Sequence, residues 1–122
     1  MSRDYRKLEV FAEADGLVLT IYKATATMPM SERFGLQAQL RRASVSVVAN
    51  IVEGSARPST AEYCRFLTIA RGSARECEYL AGLSARLQFI ATEGAEQIVR
   101  RYDRLQAKLM SLVRGLDRRA SS

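Results

Sequence analysis

Basic residues near the end of the chain have the type and spacing to contact phosphate. The candidates for nucleic-acid binding are Arg100, Arg101, Arg104, Lys108, Arg118 and Arg119. Arg100, Arg104 and Lys108 recur at four-residue intervals. Because residues four apart lie on the same side of a helix, their cationic groups would follow a phosphate backbone.

The same segment also fits an ordinary solvated helix face. Asp103 and Asp117 interrupt the basic series, and Glu96 is placed to form a stabilising pair with Arg100 four residues later. Residues 91–122 nevertheless hold seven basic and four acidic groups, whereas residues 1–30 hold four of each. The sequence leaves both interpretations open.

A second candidate surface is a polar stripe on the second predicted helix. Its members are Gln39, Arg42, Ser46, Asn50, Glu53 and Arg57. At about 100° per residue they stay within a sector of about 60° beside an apolar seam. We interpret them as hydrogen-bonding and ion-pairing groups at an interface between subunits, with binding of a ligand by Asn50 and Glu53 as the alternative.

Small residues and one carboxylate extend this predicted interface. Gly54 lies at the end of the second helix, and Gly72, Ser73 and Ala74 lie inside the third. Gly72, Ser73 and Ala74 reduce helix propensity, which suggests that another helix approaches the backbone closely there; the alternative is that these small residues are neutral filler. Glu76 offers a carboxylate that Arg41, Arg42 or Arg57 would neutralise.

The composition excludes the common catalytic and metal-binding arrangements. The chain has no histidine, which removes classical hydrolytic triads and ordinary zinc sites. Cys64 and Cys77 are about 20 Å apart along one predicted helix, too far for a disulfide, and we interpret them as small buried hydrophobic residues. Nothing supplies a nucleophile, a metal shell or a glycine-rich phosphate cradle. We therefore predict that the protein is not an enzyme and has no catalytic residue, metal or cofactor.

Length and composition indicate a single domain over residues 1–122. Hydrophobic residues make up 48% of the 122 positions and charged residues 26%, which is ordinary for a globular protein. The net charge is +6, and an excess carried mainly by arginine suits phosphate or carboxylate partners. No membrane partner is expected, because no window approaches the about 18 apolar residues of a membrane span. The start of the chain lacks the apolar core of a secretory signal, so a cytoplasmic location is expected.

Hydrophobic periodicity predicts four helices and no strands. The first spans about Asp4 to Thr27. Its predicted apolar face consists of Leu8, Phe11, Ala12, Val18 and Tyr22. The second is capped by Ser31 and ends near Ser55. Its seam consists of Leu36, Leu40, Ala43, Val47 and Ile51.

The remaining two helices follow clear start signals. Ser59 and Glu62 form a capping box that begins the third helix, which continues to about Leu87. Thr92 caps the fourth, and residues 118–122 are expected to fray. Four helices of this length joined by short turns predict an all-α, antiparallel up-down-up-down four-helix bundle.

The aromatic residues favour core packing over base stacking. Tyr22, Tyr63, Phe66 and Tyr102 occupy seam positions of the predicted helices. The sequence has no interleaving of aromatic and basic residues of the kind typical of single-strand binders.

Several of these residues together resemble a known family. The motifs are Asn50-Ile51-Val52-Glu53-Gly54, then Arg57 and Ser59 in a turn, then Ala70, Gly72-Ser73 and Glu76. Over about residues 4 to 90 the chain resembles the four-helix-bundle proteins encoded within intervening sequences of bacterial 23S rRNA genes. It departs from the usual pattern at Phe11, where tryptophan is common, and at Val52, where alanine is common. The fourth helix is the weakest match.

The resemblance implies a small cytosolic bundle that forms a ring, a homopentamer, and it implies no enzymatic activity. It also implies a similarity in shape to accessory proteins of diversity-generating retroelements, in which a basic ring contacts nucleic acid and a reverse transcriptase. Together with the charge, this predicts an oligomer that binds RNA or DNA, with structured RNA favoured. The alternative is a scaffold ring that binds another protein and has no role with nucleic acid.

Overall fold

The computed structural model describes residues 3–121, and these residues form an all-α protein. The four helices are α1 (Glu9–Thr25), α2 (Leu36–Ser55), α3 (Thr60–Arg86) and α4 (Thr92–Ser121). Within the described residues there is no strand, as predicted. Each helix packs against the next along the chain, and α1 also packs against α4. This closed cycle of contacts is consistent with the predicted bundle. No helix over residues 3–121 is long and apolar enough to span a membrane.

The start of α3 confirms the predicted capping box. The Ser59 hydroxyl accepts a hydrogen bond from the backbone N–H of Glu62 at 3.2 Å and donates to the Glu62 carboxylate at 3.3 Å. Both interactions satisfy polar groups at the helix end. α4 begins at Thr92 and runs through Ser121, so it includes residues 118–121, where the sequence predicts fraying. Ser122 lies outside the described residues.

The predicted starts of the first two helices are wrong. Asp4 caps only a short 3-10 helix, Tyr5–Lys7, and extended Leu8 separates this turn from α1. Ser31 lies inside a second 3-10 helix and does not cap α2. Instead, the Glu32 carboxylate accepts a hydrogen bond from the Leu36 N–H at 3.2 Å. A carboxylate at this position satisfies one of the free N–H groups at a helix start.

The predicted core face of the first helix is right only in part. Leu8 and Phe11 pack against the core while partly buried, but the fully buried side of the helix is a neighbouring one. Its buried residues are Val10, Ala14, Leu17, Ile21 and Thr25. Ala12 and Tyr22, which the sequence prediction placed in the core, are exposed. Apolar residues surround much of this helix, so two neighbouring faces share helical spacing, and periodicity alone does not distinguish them. The seam predicted for α2 is confirmed, because Leu40, Ala43, Val47 and Ile51 are all buried.

Two tyrosines lie at the centre of the core. Tyr63 and Tyr102 are almost completely buried, as predicted from their seam positions. Neither hydroxyl makes a hydrogen bond within residues 3–121. Burial raises the pKa of Tyr102, and the neighbouring Cys77 thiol raises it further. Burial likewise raises the pKa of Cys77 to about 12. Around these tyrosines the core is therefore held mainly by packing.

Within the chain, the glycine that another helix approaches is Gly54 and not Gly72. The predicted close approach is found at the neighbouring Ser73, whose hydroxyl lies 2.9 Å from that of Ser46 on α2, and a contact of Gly72 with a second copy stays a prediction. A Cβ atom at Gly54 would lie 2.8 Å from the Cβ of Phe66 and 3.2 Å from Cδ1 of Tyr63. A Cβ at Gly72 would meet nothing within 4 Å. Gly54 thus allows the end of α2 to pack directly on the first turns of α3.

Candidate functional site

The outer side of α4 carries four exposed arginines. They are Arg100, Arg104, Arg114 and Arg118. At about 100° per residue their Cα positions fall within a sector of about 80°, and they span about 27 Å of helix axis. We call this surface the outer basic face. Arg114 was not among the predicted residues. Its position fourteen residues after Arg100, about four helical turns, places it near the same side of α4 and would have identified it from the sequence. Arg119 is also exposed but lies to one side of this face.

Two predicted members, Arg101 and Lys108, lie on a different side of α4. The Lys108 ammonium donates to the carboxylates of Glu9 and Glu13 at 2.6 Å each. These hydrogen bonds, the one to Glu13 foremost, raise the pKa of Lys108. The Arg101 guanidinium donates to the Thr20 hydroxyl at 2.9 Å. Both cations therefore join α4 to α1, and the structure does not bring them together with Arg100 and Arg104.

The polar stripe of α2 is divided between the bundle interior and its surface. The Ser46 hydroxyl lies 2.9 Å from that of Ser73 on α3, and the Asn50 amide donates to the Ser46 carbonyl at 2.8 Å. The guanidinium of Arg57 lies 5.2 Å from the ring centroid of Phe66. Ser46 and Arg57 thus contact α3 of the same chain, and Asn50 is bonded within α2. Gln39, Arg42 and Glu53 are exposed, and so is Glu76.

Sequence reasoning missed an apolar stripe on the outer side of α2. Its members are Val45, Val48, Ala49 and Val52. They lie roughly 100–200° from the buried seam of the same helix. With Val18 of α1 they line an open groove of about 550 Å³, which Asp15 and Glu53 border. The sequence does show apolar residues at three- and four-residue spacing along this stripe. The stronger apolar seam on the same helix hid this pattern. We call these four residues the outer apolar stripe.

The chain offers little catalytic chemistry in the described residues. Cys64 and Cys77 are buried free thiols, as predicted, and burial is the main cause that raises the pKa of each. A raised pKa keeps a thiol protonated and unreactive near neutral pH. Over residues 3–121 no three acidic or cysteine side chains are arranged to hold a metal ion.

Comparisons with known proteins agree with this architecture. A family model described as 23S rRNA-intervening sequence protein matches residues 6–111. A crystal structure from Bacteroides thetaiotaomicron VPI-5482, of a protein with unknown function from the S23 ribosomal protein family, is similar to the chain with a TM-score of 0.76. The two sequences are 27% identical, and the match covers 85% of this chain and 97% of the other. No curated protein matches the chain. Because the family model covers most of its length, the chain belongs to the family of 23S rRNA-intervening sequence proteins.

Proposed function

We propose that the protein is a non-enzymatic, cytoplasmic, antiparallel up-down-up-down bundle that assembles with copies of itself and binds structured RNA. The observation that carries the RNA proposal is the outer basic face, where four exposed arginines share one side of α4. Guanidinium groups form forked hydrogen bonds with phosphate oxygens. A row of them favours a nucleic-acid backbone over a single anionic ligand.

Charge and family support RNA as the polyanion. The chain carries a net charge of +6, and the name of its family refers to 23S rRNA. Phosphate contacts would recognise the shape of an RNA duplex, since side chains do not enter its deep major groove. A straight helix face with no aromatic residue suits this mode of binding.

The outer apolar stripe supports self-assembly. Val45 and Ala49 are exposed, and Val48 and Val52 are half-buried beside them. Apolar surface of this kind on a soluble protein is typical of interaction sites. A second copy of the chain is the proposed occupant, and the family resemblance suggests a closed ring of five. Assembly would repeat the outer basic face around the ring, so that weak phosphate contacts add to a higher overall affinity.

The outer basic face is tested by a double substitution, Arg104→Ala with Arg114→Ala. We expect RNA affinity to fall about tenfold at low salt and the slope of log affinity against log salt to decrease by about two. Arg65→Ala with Arg86→Ala is the matched control, because it removes the same charge from exposed positions of α3. Binding is measured by fluorescence anisotropy on an RNA duplex across a salt series. Equal losses in both variants would contradict a specific face, and absence of binding by the native chain at low salt would favour the protein scaffold.

Self-assembly is tested by Ala49→Asp, which places a charge in the outer apolar stripe without removing a packed side chain. We expect the mass in solution, measured by light scattering without RNA, to shift from oligomer towards monomer. Ala107→Asp is the control, since Ala107 is an exposed alanine within α4. A native chain that is monomeric at every concentration tested would refute the assembly proposal.

A further inference from the structure

A groove of about 690 Å³ lies where the end of α1, the following connection and the first half of α2 meet. Its volume is within the range of about 300–1,000 Å³ that is typical of ligand sites. The groove is lined by Tyr22, Arg33, Phe34, Gln37, Ala38, Arg41, Arg42, Val45 and Ser46. We call it the arginine groove.

Two aromatic rings in the arginine groove are open to solvent and lie beside arginines. Phe34 is 87% exposed, and the Arg33 guanidinium lies 5.5 Å from its ring centroid. Tyr22 is 43% exposed, with the Arg41 guanidinium 4.4 Å from its ring centroid. Flat rings next to guanidinium groups form the kind of surface on which nucleobases stack. The sequence prediction missed this juxtaposition, because it assigned Tyr22 to the core.

The floor of the groove is held in place by hydrogen bonds to buried Thr25. Arg41 donates from Nε to the Thr25 hydroxyl at 2.9 Å and from Nη2 to the Tyr22 carbonyl at 3.2 Å. The Gln37 amide donates to the Thr25 carbonyl at 2.9 Å. These bonds use only part of the donor set of Arg41 and leave the Gln37 carbonyl oxygen as an acceptor. The polar groups of the site are therefore preorganised.

The charge of the groove selects an anion. Arg33, Arg41 and Arg42 line it, and no carboxylate is among the described residues that do so. Glu32, which precedes Arg33, is engaged with the Leu36 N–H at the start of α2. A ligand that satisfies this surface carries both negative charge and a flat aromatic face.

We infer that the arginine groove binds an unpaired nucleotide of the RNA, with its base stacked on Phe34 and its phosphates held by Arg33 and Arg42. This inference deepens the proposed function and rests on it, since it assigns a single-stranded segment to the groove and a duplex to the outer basic face. An acidic peptide matches the three arginines but leaves both aromatic faces without a stacking partner.

The inference is tested with two probes, a single-stranded RNA of about six nucleotides and an RNA duplex of about 16 base pairs. We expect Phe34→Ala to weaken binding of the single strand about tenfold and to leave duplex binding unchanged. Phe34→Trp should restore single-strand binding, because it keeps a stacking surface. Tyr79→Ala is the matched control: Tyr79 is 62% exposed and lies beside Arg86 on α3, away from the groove. Thermal melts of each variant verify that it is folded.

The outcomes separate the groove from the outer basic face. Selective loss of single-strand binding in Phe34→Ala, with rescue by Phe34→Trp, supports the inference. Unchanged single-strand binding, or equal loss in Tyr79→Ala, overturns it, while duplex binding that depends on Arg104 and Arg114 still supports the proposed function. Absence of binding to both probes refutes the two together. A competition experiment adds a further test. If unlabelled single-stranded RNA displaces the labelled strand and a glutamate-tyrosine copolymer does not, the result supports a nucleotide as the ligand. Tight binding of the copolymer without any binding of the single strand overturns the inference.

Discussion

Tyr102→Ala is expected to lower the free energy of unfolding by about 3–5 kcal/mol, whereas Tyr102→Phe is expected to leave it unchanged or to raise it by up to about 1 kcal/mol. Tyr102 has an exposed fraction of 0%, and its ring is one of the largest buried groups of the core. Its hydroxyl makes no hydrogen bond to the part of the chain that is described. Removing the ring leaves a cavity, while removing the hydroxyl leaves no former partner unsatisfied.

Urea titrations monitored by circular dichroism measure this difference, and the slope of free energy against urea shows whether unfolding remains cooperative. The two substitutions share one position, so their comparison separates packing from polarity. A clear loss of stability in Tyr102→Phe would indicate that the hydroxyl has a partner and would contradict a core held by packing alone.

The second large effect is expected at Gly54. Gly54→Ala should lower the free energy of unfolding by about 2 kcal/mol, even though alanine is the better helix former. The new methyl group would lie 2.8 Å from the Cβ of Phe66. That atom is fixed to the backbone of α3 and does not rotate away, so α2 and α3 must separate.

Gly72→Ala is the control, and its effect on the free energy of unfolding is expected to have the opposite sign. Gly72 is exposed inside α3, and a Cβ there would meet nothing within 4 Å. We expect a gain of up to about 1 kcal/mol, since only the backbone entropy of glycine is removed. Thermal and urea unfolding of both variants are the measurement. Stabilisation by Gly54→Ala would mean that the two helices pack less closely than the structure has them.

Local signals in the sequence predicted the architecture well. Ser59 and Glu62 lie within one turn of each other, so the capping box of α3 depends on neighbours that the sequence displays. The seam of α2 was predicted for a similar reason, because one apolar spacing dominates that helix. In α1 two apolar faces compete, and only the positions of α2 and α4 decide that Ile21 is buried and Tyr22 exposed.

The candidate site was harder to predict, because its residues are sorted by contacts between distant segments. Arg100 and Lys108 each lie four residues from Arg104, so the sequence pattern does not distinguish them. Only Lys108, however, forms ion pairs with Glu9 and Glu13 of α1. No spacing within α4 reveals these partners. The arginine groove was missed for the same reason. It brings Tyr22 of α1 together with Arg33 and Phe34 of the following connection, which only the folded chain shows.

The ion pairs of Lys108 also bear on the order in which the protein forms. They join residues 99 and 95 positions apart, and the Arg101–Thr20 hydrogen bond between the same two helices joins residues 81 apart, whereas the other pairs of packed α-helices are consecutive in the chain. Closing so long a loop is entropically costly, so the contacts between α1 and α4 are expected to form after those between consecutive helices. Val18 of α1 completes the groove beside the outer apolar stripe. Because this groove is formed by α1 and α2, it would be complete before the pairing of α1 with α4 closes the bundle.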